Sequence, residues 1–118
     1  MEQEVVNTNI SDVYSAVNEL CSKLKYDSSH YNAVFFMAAI TYDFESLSKA
    51  IKDRFPHAQV MGTSTAGEIS PLGFTENSIV LTTMSSSDVK CRAVLVECGS
   101  RYPVVNKKHI EDALSECG

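Results

Sequence analysis

The chain has 118 residues, 44% of them hydrophobic and 21% charged, with a net charge of −5. That is the make-up of one soluble globular domain, and its acidity argues against binding to phosphate backbones. The longest apolar run, residues 33–40, is far short of the roughly 20 residues that cross a bilayer, and Met1-Glu2-Gln3-Glu4 lacks the basic and apolar regions of an export signal.

Residues Ile10, Val13, Tyr14, Val17, Leu20, Cys21 and Leu24 recur at steps that mark one face of a helix. Asn9 is the expected N-cap, with Ser11 and Asp12 in the first turn. Asp27-Ser28-Ser29-His30 reads as a turn. Residues 33–40 are apolar without alternation, so the expectation is a central strand covered on both faces. Asp43 is placed to cap a second helix, whose stripe is Phe44, Leu47, Ala50, Ile51 and Phe55 and which Pro56 stops.

Residues 58–63 predict a second strand. Strand, helix and strand at this spacing form a βαβ unit with parallel strands and a right-handed crossover. After a loop over residues 64–77 comes a third strand at 79–84, then a turn and a fourth strand at 89–96. The short turn makes the last two an antiparallel hairpin. Val105, Ile110, Ala113, Leu114 and Cys117 predict a third helix opened by Asn106. The expectation is a single α/β domain over residues 1–118, with a mixed sheet and helices packed on it.

The four cysteines, Cys21, Cys91, Cys98 and Cys117, form no C-x-x-C pair, so neither a zinc ribbon nor a thioredoxin-type motif is written here. Cys21, Cys91 and Cys117 fall on apolar stripes, and all four are read as reduced thiols of a cytoplasmic protein. Arg101, Lys107, Lys108 and His109 make a small basic cluster, read as solvated surface. His30, His57 and His109 lack metal-ligand spacing, and no P-loop pattern occurs.

Chemistry concentrates where the second strand ends. Thr63, Ser64 and Thr65 supply three consecutive hydroxyls, Gly67 allows close backbone approach, and Glu68 adds a carboxylate. In open α/β sheets ligands bind outside the carboxyl ends of strands, and Tyr42 and Asp43 leave the neighbouring strand at the same end. These seven residues can line a pocket for a small polar molecule. The alternative is that the hydroxyls cap a tight turn.

Gly62-Thr63-Ser64-Thr65-Ala66 also nearly matches the nucleophile elbow G-x-S-x-G. An elbow needs a helix at once, however, and Glu68-Ile69-Ser70-Pro71-Leu72-Gly73 has no helical period.

The run Thr63-Ser64-Thr65-Ala66-Gly67-Glu68-Ile69 after a strand ending in Gly62, with Gly73 and a return strand behind it, resembles the signature of the FIST sensory domain. Tyr42-Asp43 opening a helix that ends in Arg54-Phe55-Pro56, followed by Val60-Met61-Gly62, agrees with that pattern in order. The resemblance implies an intracellular sensory domain of signal transduction, not an enzyme, that binds small ligands, with amino acids suggested. It implies coupling to a signalling output domain. Some relatives are reported to bind haem, so a haem-based gas sensor is the alternative it implies, but no cofactor is expected here. A full FIST module has further sheet and a separate C-terminal half, so these residues are expected to be its N-terminal portion. An exposed apolar edge or face then favours a homo-oligomer.

Overall fold

A computed structural model describes residues 2–65, 67–70, 73–88, 90, 92–93 and 107–116. Its centre is a four-stranded sheet of β1 (Glu2–Thr8), β2 (Ala33–Ala39), β3 (Gln59–Thr65) and β6 (Ile79–Ser85), in the order β1-β6-β2-β3. β2 and β3 are parallel, joined by helix α2 (Phe44–Arg54), whereas β6 runs antiparallel to both β1 and β2. The expected βαβ unit and mixed sheet are therefore present. Two short strands, β4 (Glu68–Ser70) and β5 (Gly73–Thr75), pair as an antiparallel hairpin.

Register explains the core. Val34, Phe36 and Ala38 of β2 stand beside Leu81 and Ile79 of β6 on one face, and Val6 of β1 joins them. Helix α1 (Val13–Ser22) brings Ala16, Val17 and Leu20 to this face, and α2 brings Leu47, Ala50 and Ile51. Burying each of the larger side chains stabilises the fold by about 1.5–3 kcal/mol. Asp43 caps α2 as expected, its carboxylate accepting from the Ser46 N–H at 3.3 Å and the Ser46 hydroxyl at 3.0 Å.

Several expectations need correction. β1 has no counterpart among the elements expected from the sequence. The cap of α1 is Asp12, which accepts from the Ser15 N–H at 2.9 Å, and not Asn9. Tyr14 is 71% exposed, because at 3.6 residues per turn it stands well round the helix from the buried Ala16, Val17 and Leu20. Among the described residues no helix covers the second face of β2: α1 and α2 share one side, and on the other Phe35 and Met61 are 39% and 50% exposed. The loop at 64–77 contains the β4–β5 hairpin. The fourth strand expected at 89–96 lies mostly outside the described residues, and Lys90, Arg92 and Ala93 are in neither helix nor strand. The third helix is found as α3 (Lys107–Glu116).

Glu4 fastens β1 to the connection after α1. Its carboxylate accepts from the Tyr31 hydroxyl at 2.5 Å and from the Lys25 N–H at 2.9 Å. Burial of Tyr31, and then its bond to Glu4, push the phenol up to about 12. A phenol held neutral in the fold stabilises it fully below its ordinary range near pH 10, and that contribution is lost as pH rises through about 12. Tyr31→Phe is expected to cost about 1–2 kcal/mol in urea titrations at pH 8 and to flatten the stability change between roughly pH 10 and 12.

Candidate functional site

Parallel pairing sets Ala39 level with Thr65, so the carboxyl ends of β2 and β3 lie together. The seven residues singled out in the sequence gather at this end along the backbone, but they divide by role. Tyr42 is buried, and its hydroxyl donates to the Ile10 carbonyl at 2.7 Å, with the Asn77 carbonyl at 3.4 Å. Asp43 is engaged as the α2 cap. Both side chains thus frame this end of the sheet.

Thr63 and Ser64 are exposed and Thr65 is half-buried. Strand alternation puts Thr63 and Thr65 on one face with Met37, and Ser64 on the other with Ala38. The three hydroxyls therefore do not converge on one side. The Thr65 carbonyl accepts from the Ile40 N–H at 3.2 Å, which ties the two strand ends. Gly67 is half-buried, and Glu68 opens β4, its backbone paired with Thr75. β4 of the hairpin lies against β1, β2 and β6. Gly73 has φ +100°, a conformation that side chains rarely adopt, which accounts for glycine where the hairpin turns.

Gly62 has a different explanation. A Cβ there would stand 2.2 Å from Phe36 Cζ, so the strand passes directly against that ring. Its role is packing, and the sequence held no signal of the tertiary contact.

A polar hollow of about 520 Å³, which no motif announced, lies at the opposite end of the sheet. Glu2, Ser29, His30, Asn32 and the run Ser85, Ser86, Ser87 and Asp88 line it. It depends on β1, so the only available clue was the β-branched Val5-Val6 pair. His30 stacks on Tyr26 with ring centroids 4.1 Å apart, while His57 is exposed. Among the described residues no group of three His, Cys, Asp or Glu side chains is placed to hold a metal. Cys21 is free and half-buried, and burial raises its thiol, which suits an unreactive core cysteine.

The family model of the FIST N domain matches residues 32–117. The chain belongs to the FIST N domain family. The match begins just before β2 and runs through α3, so it takes in the whole βαβ unit, the hairpin and β6. FIST domains are sensory domains of signal transduction. Neither a curated protein nor a solved structure matches the chain. No helix among the described residues is long and apolar enough to cross a membrane.

Proposed function

We propose that this FIST N domain is a cytoplasmic sensor that binds a small polar ligand, an amino acid being the first class to test. The site is the carboxyl end of β2 and β3. Thr63 and Thr65, with Gly67 and Glu68, contact the ligand, Ser64 being turned to the other face of β3, and Tyr42 and Asp43 hold the frame around it. The observation that supports this most is the register that sets Ala39 beside Thr65, since ligands of open α/β sheets bind at such strand ends. Its partners are a signalling output domain or the C-terminal half of a FIST module, with no nucleic acid, membrane contact or cofactor. Native mass spectrometry of the gently purified protein tests the reading. A bound small molecule bearing an ammonium or hydroxyl group supports it; a bound haem, or a bound nucleic acid, contradicts it.

The backbone beyond Ser64 disfavours a serine hydrolase. β3 continues through Thr65 and the chain then forms the β4–β5 hairpin, where a nucleophile elbow needs a helix. Ser64 is moreover an ordinary paired strand residue opposite Ala38. Wild type and Ser64→Ala are expected to hydrolyse p-nitrophenyl esters at the same background rate; a burst abolished by the substitution would restore the enzyme reading.

Among the described residues the sheet ends at β1 and β3, and edge strands template pairing with another chain. We expect a dimer or larger assembly in sedimentation at hundreds of micromolar, whereas a monomer throughout that range counts against self-association.

A further inference from the structure

The polar hollow at the far end of the sheet holds a hydroxyl that the fold does not use. Ser85 ends β6 on the same face as the buried Leu81 and Thr83, and it is only 6% exposed. Among the described residues its hydroxyl has no hydrogen-bond partner. The Thr83 hydroxyl is unpaired too but is sealed in the core, whereas Ser85 lines the hollow. Hydroxyls buried this deeply are ordinarily paired, so one left open toward a cavity offers itself to a ligand atom.

The residues around Ser85 are held in place by the backbone. Glu2 stands opposite it in the β1–β6 register, which puts the two side chains on one face with Cβ atoms about 4.5–5.5 Å apart. Asn32 is fixed from both sides: its N–H donates to the Met84 carbonyl at 2.9 Å, and its carbonyl accepts from the Gln59 N–H at 2.9 Å. Its carboxamide oxygen accepts from the Ser86 N–H at 2.6 Å. That bond sets the orientation of the group and leaves its NH2 without an acceptor among the described residues. The Ser86 hydroxyl accepts from the Asp88 N–H at 3.1 Å and so holds the segment that carries the Asp88 carboxylate. His30, stacked on Tyr26, adds an aromatic ring to the lining.

We propose that the hollow is a second ligand site, for a hydroxylated amine of the amino-sugar class. The carboxylates of Glu2 and Asp88 line it, with no lysine or arginine among the described lining residues. Charge of one sign in a concave site favours a cation and repels a carboxylate or phosphate. The open Ser85 hydroxyl and Asn32 NH2 call for ligand oxygens, which a bare polyamine lacks. The His30 ring offers an apolar surface for one face of a sugar, and the volume of about 520 Å³ lies within the roughly 300–1,000 Å³ of small-molecule sites. Both carboxylates are exposed and screened, so charge selects the class of ligand while the buried hydroxyl and amide orient it. A free amino acid brings a carboxylate that Glu2 and Asp88 repel. The site is therefore distinct from the strand ends of β2 and β3, and the inference stands independently of what binds there.

An amide NMR titration of the intact chain with glucosamine at about pH 7, where most of its amine is charged, tests the assignment. Saturable shifts are expected at Glu2, His30, Asn32 and residues 85–88, with residues 40–43 and 63–68 unmoved. N-acetylglucosamine keeps hydroxyls but loses the charge, and is expected to bind about 5-fold more weakly. Ser85→Ala should weaken glucosamine about 10-fold while the melting temperature holds or rises, because a hydroxyl that bonds nothing in the fold does not stabilise it. Glu2→Gln, at an exposed position, should weaken it about 3-fold. The proposal is overturned by the absence of saturable shifts, by shifts at the strand ends instead, or by equal affinity for the acetylated sugar. Unchanged affinity in Ser85→Ala overturns it as well, and so does a lowered melting temperature, which would mean that the hydroxyl already serves the fold.

Discussion

Gly62→Ala is expected to destabilise the domain by about 3 kcal/mol, although it adds a single methyl group. The new Cβ would lie 2.2 Å from Phe36 Cζ and 2.3 and 2.6 Å from the two Cε atoms, well inside van der Waals contact. The ring has nowhere to retreat. Phe36 is 1% exposed, and Phe44 packs against it with centroids 5.5 Å apart.

Ordinarily, replacing glycine by alanine in a strand gains about 0.4–1 kcal/mol by restricting the unfolded chain. Here the overlap is several times larger in energy, so overpacking decides the sign. The melting temperature should fall by about 10 °C or more. Trimming the ring should recover part of the loss, because Gly62→Ala with Phe36→Leu removes the colliding atoms; the two changes are expected to couple strongly. A Gly62→Ala protein that melts like wild type would mean that Phe36 does not pack on β3 as described.

Glu68→Gln is expected to weaken an ammonium-bearing ligand by about 10–100-fold with little effect on folding. A carboxylate that meets a ligand ammonium can make a charge-assisted bond worth roughly 1.5–3 kcal/mol. Glutamine keeps the shape and one acceptor but loses the charge. If Glu68 instead only ties down the start of β4, the pattern reverses: the melting temperature falls and affinity stays. Calorimetric titration and thermal melting of the same variant separate the two roles. Unchanged affinity for a demonstrated ligand removes Glu68 from the site.

Much of the fold is written locally. The apolar run at 33–40, the stripe from Phe44 to Phe55, the Asp43 cap and the Pro56 stop suffice for β2, α2 and the parallel pairing with β3. The parts that were not legible depend on partners far along the chain. β1 opens with Glu2, Gln3 and Glu4, poor strand formers, and becomes a strand because its backbone pairs with β6, Val6 lying beside Leu81. Ile10 fits the helical stripe of α1 yet precedes its cap, since Asp12 satisfies the first-turn N–H groups and Asn9 does not. The strands of the β4–β5 hairpin are too short to show a period.

The place of the candidate site rests on the strand ends, and the register does set the end of β2 level with the end of β3. That the Tyr42 hydroxyl is engaged by the Ile10 carbonyl, or that Ser64 faces away from Thr63 and Thr65, comes only from tertiary packing and register. The polar hollow at the other end was invisible without β1.

An amide NMR titration of the intact chain with each of the common amino acids measures the central claim directly. The account predicts that at least one of them shifts the resonances of residues 40–43 and 63–68 in a saturable way while the opposite end of the sheet stays still. Saturable shifts confined to Glu2, His30, Asn32, Ser87 and Asp88 would move the ligand site to the polar hollow and contradict it, and so would no saturable shift with any of them.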